Sequence, residues 1–524
     1  MCTLLNDFEM PNGITKIGNN AFASCTALDS IIISDNVTDI GEGAFKWCRE
    51  LKNITIPDGV RVIGDSAFSS CNALKNVTIP NSVKTIGKDA FEWCRALESV
   101  VLPDSITSIN DRSFAYCKVL ENITIPDGVT LIGNWAFENC EALTSVTIPD
   151  SMTTIEHSAF ENCKALTSLI IPDGVTTIGH SAFENCEALT NVTIPDSMTT
   201  IEYSAFANCK ALTSVIIPDG VTMIGKRAFE NCEALTSVII PDGVTTIGGS
   251  AFANCKLTSV IIPDGVTTIG GSAFNGCKSL KSISIPDSVT EIGESAFSST
   301  PWLKKQKDVF VTVGKNILLK YNGKDEEVTV PEGITQICGE AFKGNKFMRR
   351  IVIPDTVESI GYGAFSGCKQ LESVFIPSSV TSVGMRIIEN CKAITELVLF
   401  GCKINLSKCT LKKIEPFEIR SMLDKKDYSV RMEMSLKYMF VTQVFIATKQ
   451  KEACAFIKKN LPKIIKFFID NNDIATIKAL FESGELITKK NIMKFVDYSI
   501  EHTQNGGDMQ LQAYIMDYKN EHFS

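Results

Sequence analysis

The sequence predicts an α/β solenoid of about 16 or 17 coils over residues 1–400, followed by an α-helical C-terminal region over residues 401–524. Phe recurs every 23 residues from Phe22 to Phe252, and the series continues at Phe274 and Phe297 after one deletion. Short β-branched segments recur with it, and near residue 400 they give way to amphipathic helical periodicity. Because one repeat cannot bury its apolar face alone, neighbouring repeats must stack around a continuous core.

Residues 214–236, SVIIPDGVTMIGKRAFENCEALT, show the elements of one coil in order. SVIIP alternates and is β-branched, which predicts a strand that ends at Pro218, since proline has no N–H for the ladder. Pro-Asp-Gly predicts a tight turn, and VTMIG predicts a second short strand. KRAFENC is too short for more than about two helical turns, and it places Ala228, Phe229 and Cys232 on one face. Each coil is therefore expected to hold two short strands and a short helical turn.

The repeated string L-x-x-V-x-I-P-D-x-V-T-x-I-G-x-x-A-F-x-x-C resembles the BspA-like class of leucine-rich repeats over residues 1 to about 400. The resemblance implies a right-handed leucine-rich-repeat coil that serves adhesion or protein recognition, frequently on microbial surfaces. It implies no catalytic residues.

Fifteen of the 19 cysteines, from Cys2 to Cys391, occupy one phase of the repeat, three residues after the Phe position. This pattern predicts a column of buried thiols rather than a metal site, because ligands that come one per coil form a row and do not converge. Disulfides between neighbouring coils are possible by distance but not expected, since stacked Cβ vectors run parallel.

Three further columns are polar. The residue after Cys alternates in sign, which predicts ion pairs between coils that favour the correct register. An Asn column two residues after Phe is interpreted as structural. An Asp row after the turn prolines is interpreted as capping the turns, with a row of calcium ions as the alternative. The column of alternating charge contains Glu141, Lys164, Glu187, Lys210, Glu233 and Lys256. The Asn column contains Asn139, Asn162, Asn185, Asn208, Asn231 and Asn254. The Asp row contains Asp127, Asp150, Asp173, Asp196, Asp219, Asp242 and Asp264.

Coils near the N-terminus place aromatic and basic residues in the Asn and charge columns. Aromatic residues with Arg are typical of binding hot spots, and variation between coils is where solenoids acquire specificity. The alternative is that these side chains cover that end of the core. The candidate partner-binding patch consists of Trp47, Arg49, Trp93, Arg95, Tyr116 and Lys118.

Residues 298–333 interrupt the rhythm, and FVTVGKNILLKY predicts an irregular coil with a projecting hairpin, for which Asn-Gly at 322–323 favours a tight turn. Beyond residue 400 the periodicity predicts helices over 429–447, 450–468, 473–483, 488–503 and 508–519 that weakly resemble ankyrin-type repeats. This region is expected either to cap the last coil or to dock a partner.

Composition excludes several classes of function. Lys and Arg number 51 against 60 Asp and Glu, a net charge of −9 that argues against a nucleic-acid partner, and no apolar run is long enough for a membrane span. Four His with no P-loop and no Ser/His/Asp pattern argue against an enzyme, and we expect no catalytic residues, cofactor or metal.

We therefore expect a non-enzymatic recognition protein that binds a protein partner or a surface glycan, as a microbial surface adhesin does. The alternatives are an intracellular interaction scaffold and a passive structural spacer. Residues 1–13 contain no signal peptide as written, and the chain starts inside a coil. The protein is expected at the cell surface or secreted if a signal is missing upstream, and in the cytoplasm otherwise.

Overall fold

The structure is a computed structural model that describes residues 5–399, 402–405 and 434–523. The chain divides into two compact units. Unit 1 contains Met1–Gln306 with Val313–Lys315, and unit 2 contains Lys307–Thr312 with Asn316–Ser524. The division at residue 400 between solenoid and helical region stays a prediction.

Unit 1 contains thirteen coils, each with a first and a second short strand, so the predicted strand–turn–strand repeat is confirmed. We number the coils by their Phe residues, from Phe22 in coil 1 to Phe297 in coil 13. First strands have odd numbers and second strands even numbers. In chain order the strands are β1 Asp7–Glu9, β2 Lys16–Ile17, β3 Ser30–Ile32, β4 Asp39–Ile40, β5 Asn53–Ile54, β6 Val62–Ile63, β7 Asn76–Thr78, β8 Thr85–Ile86, β9 Ser99–Val101, β10 Ser108–Ile109, β11 Asn122–Thr124, β12 Leu131–Ile132, β13 Ser145–Thr147, β14 Thr154–Ile155, β15 Ser168–Ile170, β16 Thr177–Ile178, β17 Asn191–Thr193, β18 Thr200–Ile201, β19 Ser214–Ile216, β20 Met223–Ile224, β21 Ser237–Ile239, β22 Thr246–Ile247, β23 Ser259–Ile261, β24 Thr268–Ile269, β25 Ser282–Ser284 and β26 Glu291–Ile292.

Strands pair in parallel with the equivalent strand of the next coil. In the first-strand row Ser214 lies opposite Ser237, and in the second-strand row Ile224 lies opposite Ile247, so the register equals one repeat. Along β19 the exposure alternates, because Val215 points into the core while Ser214 and Ile216 point outward. This alternation explains why the middle residue of each first strand is apolar.

The segment after the second strand is a run of hydrogen-bonded turns rather than the predicted helical turn. In coil 9 the N–H of Ala207 donates to the carbonyl of Ser204, three residues back, and the N–H of Phe206 donates to the carbonyl of Ala228 in the next coil. Ser204 and Asn208 have left-handed backbones, with φ of 53° and 61°. Left-handed residues interrupt an α-helix, and here they turn N–H groups toward the neighbouring coil.

The Phe column forms the core of unit 1. Ring centroids of successive Phe residues from Phe22 to Phe297 lie 5.2 to 5.7 Å apart with nearly parallel planes. The deletion between Cys255 and Leu257 falls in the turn after the column, and Phe252 and Phe274 still stack at 5.5 Å. Each coil can therefore lose a turn residue without disturbing the aromatic stack.

The irregular stretch begins with helix α1, Pro301–Lys305, whose N-cap is Thr300. Trp302 lies edge-on to Phe297 with centroids 5.1 Å apart, so it closes the Phe column of unit 1. Strands β27, Phe310–Val313, and β28, Ile317–Tyr321, are neighbours in one sheet, as the hairpin prediction requires. The turn lies at residues 314–316, where Gly314 and Asn316 have left-handed backbones, and not at the Asn-Gly pair.

Unit 2 continues the coils and then becomes helical. Four more second strands bring the number of coils to 17, and the predicted helices are confirmed where the structure describes them, residues 429–433 lying outside the described part. The remaining elements are β29 Glu327–Thr329, β30 Gln336–Ile337, β31 Arg350–Val352, β32 Ser359–Ile360, β33 Ser373–Ile376, β34 Ser382–Val383, β35 Glu396–Leu399, β36 Cys402–Asn405, α2 Met434–Thr448, α3 Lys451–Asp470, α4 Ile474–Phe481, α5 Ile492–Gln504 and α6 Met509–Phe523.

One hydrophobic core runs through unit 2. It includes coil residues from Leu318 to Leu397 and helix residues from Leu436 to Ile515. Within this unit the helices and the last coils therefore share buried apolar surface.

Candidate functional site

The six residues of the candidate patch lie in the turn segments of coils 2, 4 and 5. Trp93 and Tyr116 stack with ring centroids 3.8 Å apart and 9° between their planes. The guanidinium of Arg95 lies 4.9 Å from the Trp93 centroid, within range of a cation–π contact. The structure therefore brings Trp93, Arg95 and Tyr116 together.

Trp47 and Arg49 lie in coil 2 and are separated from this cluster by coil 3, which has Ser70 and Asn72 at the same two positions. The Trp47 side chain is 44% exposed, and its nearest cation is the Lys46 ammonium, 5.0 Å from the ring centroid. Arg49 is exposed. These two residues therefore form a separate part of the patch.

All three aromatic residues of the patch have left-handed backbones. Their φ values are 63° for Trp47 and 62° for Trp93 and Tyr116. In the middle coils the same column holds Asn, which adopts this conformation readily, whereas a bulky residue there is an outlier. The left-handed conformation recurs at this position in every coil of unit 1, so the backbone belongs to the repeat and only the bulky side chain is unusual there.

The rim of the cluster is charged. The Lys118 ammonium pairs with Glu141 at 2.8 Å, and Lys164 pairs with the same carboxylate at 3.4 Å. Lys210 pairs with Glu187 at 3.1 Å, so the predicted alternation produces ion pairs in two cases, Glu141 with Lys164 and Glu187 with Lys210. Exposed pairs of this kind each contribute roughly 0–1 kcal/mol.

Tyr116 continues the cluster into coil 6. Its hydroxyl donates to Glu138 Oε1 at 3.3 Å. Burial raises the pKa of Tyr116 and also that of Glu138, for which the hydrogen bond from Tyr116 acts in the opposite direction. Both side chains are half-buried and held in place.

Sequence reasoning missed one contact beside the patch. The guanidinium of Arg112 lies 4.6 Å from the centroid of Trp135, in the other left-handed column of the turn. Ser fills this column in most middle coils, as at Ser158 and Ser181, so a Trp there was a detectable departure. With Trp135, three of the four tryptophans lie in coils 2 to 6.

A groove lies beside the cluster on the first-strand side of coils 4 to 6, with a volume of about 740 Å³. Its walls are mostly polar, and Arg95 belongs both to the groove and to the contact with Trp93. The groove was not predicted. Residues that line it are Asn72, Asn76, Arg95, Ala96, Glu98, Ser99, Val119, Glu121 and Asn122.

Apart from the half-buried Cys391, the described members of the cysteine column are buried, as predicted, and all of them are free thiols. From Cys48 to Cys277 each thiol donates to the carbonyl of the Phe one coil earlier, as Cys232 does to Phe206 at 3.3 Å. Burial raises the pKa of Cys48 and of Cys277 to about 12. Because the thiolate is the nucleophile, these sulfurs are structural donors at neutral pH.

The middle polar columns are structural as well. The amide of Asn231 donates to Asn208 at 2.7 Å, and that of Asn254 donates to Asn231 at 2.8 Å. His157 Nδ1 accepts from the backbone N–H of His180 at 3.0 Å. Among residues 5–399, 402–405 and 434–523, no three His, Cys, Asp or Glu are grouped to hold a metal ion.

A family model described as a BspA type leucine rich repeat region (6 copies) matches residues 1–118, 84–213, 199–310 and 311–423. The chain belongs to this family. BspA-type proteins are leucine-rich repeat scaffolds, generally non-enzymatic, which serve protein interactions. The resemblance of the repeated string to the BspA-like class is thereby confirmed.

Solved structures of bacterial leucine-rich repeat proteins are similar to this BspA-type chain. A leucine-rich repeat protein from Bacteroides ovatus is 35% identical with a TM-score of 0.51, and the match covers 66% of this chain and 83% of that one. A leucine rich cell surface protein from Faecalibacterium prausnitzii is 34% identical with a TM-score of 0.39, covering 57% and 86%. None of the curated proteins matches. Of the helices that the structure describes, none has the length and apolar character needed to cross a bilayer.

Proposed function

We propose that this BspA-type protein is a non-enzymatic recognition scaffold that binds a partner protein through the turns of coils 2 to 6. The observation that carries the proposal is the stack of Trp93 and Tyr116 on left-handed backbone. Asn fits that backbone at lower cost and fills the position in the middle coils, so the aromatic side chains distinguish these coils from the others. Aromatic residues beside Arg are the residues most enriched at interface hot spots.

The patch extends over neighbouring coils in a way that suits a protein surface. Trp47 offers an exposed ring in coil 2, Trp93 and Tyr116 offer a rigid pair in coils 4 and 5, and Lys118 offers a charge at the rim. Hot spots in protein interfaces are surrounded by such a polar rim.

The test compares three forms of the full chain as bait for proteins of the source organism and its surroundings, with quantitative mass spectrometry of what is retained. The patch variant carries Trp47→Ala, Trp93→Ala, Arg95→Ala and Tyr116→Ala. The control variant carries Asn162→Ala, Asn185→Ala, Asn208→Ala and Lys210→Ala, at the same columns of the middle coils. We expect a partner that the control retains and the patch variant loses by roughly tenfold or more.

Retention of the same proteins by all three forms would contradict the proposal, provided that circular dichroism shows the patch variant folded. The same set of baits addresses the spacer alternative, which predicts no specific partner. That alternative is favoured by the middle coils, where Thr144, Thr167, Thr190, Thr213 and Thr236 repeat at one exposed position with no charge.

We propose further that the partner lies outside the cell, so that the protein acts as an adhesin. The measurement is protease accessibility on intact source cells together with the native N-terminus by mass spectrometry. Cleavage from outside supports the adhesin. Full protection would replace it with an intracellular scaffold.

A further inference from the structure

The groove of coils 4 to 6 lies where the first-strand sheet is interrupted. Strand β9 ends one sheet and β11 begins the next, and the second-strand row breaks beside it, between β8 and β10. The first-strand row breaks in the same way between β13 and β15 and between β21 and β23, so the break alone does not make a groove. The side chains that line the groove define it.

The walls of the groove offer donors and acceptors in mixed order. The amides of Asn76 and Asn122, the Ser99 hydroxyl, the Arg95 guanidinium and the carboxylates of Glu98 and Glu121 all face it. Ser99 donates to Asn76 Oδ1 at 2.7 Å, and Ser145 donates to Asn122 Oδ1 at 2.8 Å, so both amides are oriented. An oriented amide keeps its N–H donors for a ligand.

The charges of the groove balance. Glu98 lies 3.7 Å from the Lys75 ammonium, and two further residues of opposite charge, Arg95 and Glu121, both line the groove. A strongly charged ligand therefore gains little here, whereas a neutral polar ligand meets partners on both sides.

One acceptor at the groove lacks a partner. Asn72 Oδ1 is shielded from solvent and has no hydrogen-bond partner in the described part of the chain. A shielded acceptor left unpaired is costly, and a donor from a ligand would satisfy it after a rotation of the amide.

The apolar part of the groove is small. It consists of Ala96 and Val119, and the Val119 side chain is 41% exposed. A peptide anchors itself through apolar side chains in pockets, and this groove has none of that size. A sugar ring needs only a small apolar contact for its C–H face, and its hydroxyls both donate and accept.

We infer that this groove binds a neutral oligosaccharide. The inference deepens the proposed function, because Arg95 joins the groove to the aromatic cluster, and it rests on the protein being a recognition scaffold. The volume is within the range of ligand sites and fits a chain of two or three sugar units.

The experiment titrates the full chain with maltotriose, cellotriose, xylotriose, mannotriose and N,N′,N″-triacetylchitotriose by calorimetry and ligand-observed NMR. We expect saturable one-to-one binding of at least one probe. The variant Asn76→Ala with Asn122→Ala should weaken that binding roughly tenfold or more, since two oriented donors are lost. The matched control, Asn191→Ala with Ser214→Ala, changes the same strand position in β17 and β19 and should leave it unchanged.

Failure of all five probes to bind at millimolar concentration overturns the inference, as does equal binding by the groove variant and the control. If the groove variant loses the partner protein and no sugar binds, the groove is part of the protein-binding surface, and this result also overturns the oligosaccharide inference. The groove variant leaves the four residues that the patch variant replaces unchanged. If no sugar binds while the partner protein is still retained, the proposed function therefore stands and only the oligosaccharide inference fails.

Discussion

The Tyr116 ring lies face to face with the Trp93 ring, 3.8 Å from centroid to centroid, although the two residues are one full coil apart in the chain. Each sits on left-handed backbone with a φ of 62°. Stacking of this kind contributes about 0.5–1.5 kcal/mol beyond burial, which offsets part of the backbone strain. Trp47 has the same backbone conformation without a stacked partner, so its replacement measures the cost of the left-handed backbone without a contribution from stacking.

Replacement of Trp47 by Asn is expected to raise the free energy of unfolding by about 1 kcal/mol, because Asn tolerates left-handed backbone and the Trp side chain is largely exposed. Urea unfolding of the full chain measures it. The contrasting variant is Trp302→Asn, which removes the edge-on cover of Phe297 and should lower stability. A clear loss of stability in Trp47→Asn would contradict this expectation, because it would show that the contacts of the Trp47 ring stabilise the fold by more than the backbone strain costs.

The Phe column predicts a large cost for a single truncation in the middle of unit 1. Phe183 is fully buried, and its ring lies 5.4 Å from Phe160 and 5.5 Å from Phe206. Phe183→Ala should lower the free energy of unfolding by about 3–5 kcal/mol, since neighbours on both sides hold the cavity open. Urea melts followed by tryptophan fluorescence measure it. Ile216→Ala, at a side chain 77% exposed, is the control and should change it by less than about 0.5 kcal/mol.

Two glutamates should respond to pH with opposite signs. Burial raises the pKa of Glu161, with Glu184 and Glu138 adding to the shift, so its ionised form destabilises the folded state. Stability from this group therefore falls as pH rises from the ordinary carboxyl pKa through the raised one. Glu161→Gln should be more stable than the parent protein at pH 7, and the gain should vanish below about pH 4.

Glu141 is the matched control. The hydrogen bond from Lys118, with help from Lys164, lowers the pKa of Glu141, so its ionised form stabilises the folded state above the ordinary carboxyl pKa. Glu141→Gln should be less stable than the parent protein at pH 7 and equal to it at low pH. Thermal melts at about pH 3 and at pH 7 compare both variants, and a shift of the same sign in the two at pH 7 would contradict this account.

Thiol labelling should separate the ends of the cysteine column from its interior. Burial raises the pKa of Cys163 well above its ordinary value. Cys391, at the C-terminal end of the column, is only half-buried. With Ellman's reagent or iodoacetamide at pH 8, peptides containing Cys391 should label before peptides containing Cys163, which should wait for unfolding. Rapid labelling of Cys163 in the native protein would count against a closed core.

The strands and the core of this fold were predictable because the same residue pattern recurs in each repeat. Val215 and Phe229 belong to columns with the same chemistry in every coil, and stacking is the only way to bury them. The third element was not predicted correctly, because its backbone depends on two left-handed residues per coil. Asn208 was a usable signal for one of them, since Asn favours that conformation, but Ser204 was not.

The candidate patch was predictable only in part. Trp93, Arg95 and Tyr116 lie at equivalent columns of adjacent coils, so their proximity follows from the repeat. The groove did not follow from it. Asn76, Ser99 and Asn122 occur at a position that holds Ser or Asn in every coil from Ser30 to Ser282, so their residue types do not distinguish these coils from the others.

The register of one repeat between neighbouring coils of unit 1 also bears on how such a chain can change in evolution. Ser214 pairs with Ser237 of the next coil, and this pairing does not depend on how many coils follow. A gene that duplicates or loses a whole 23-residue segment therefore restores the same hydrogen bonds and the same Phe stack at the junction. The number of coils can therefore change without changing the contacts between neighbouring coils, and a change downstream of coil 6 leaves the aromatic coils as they are.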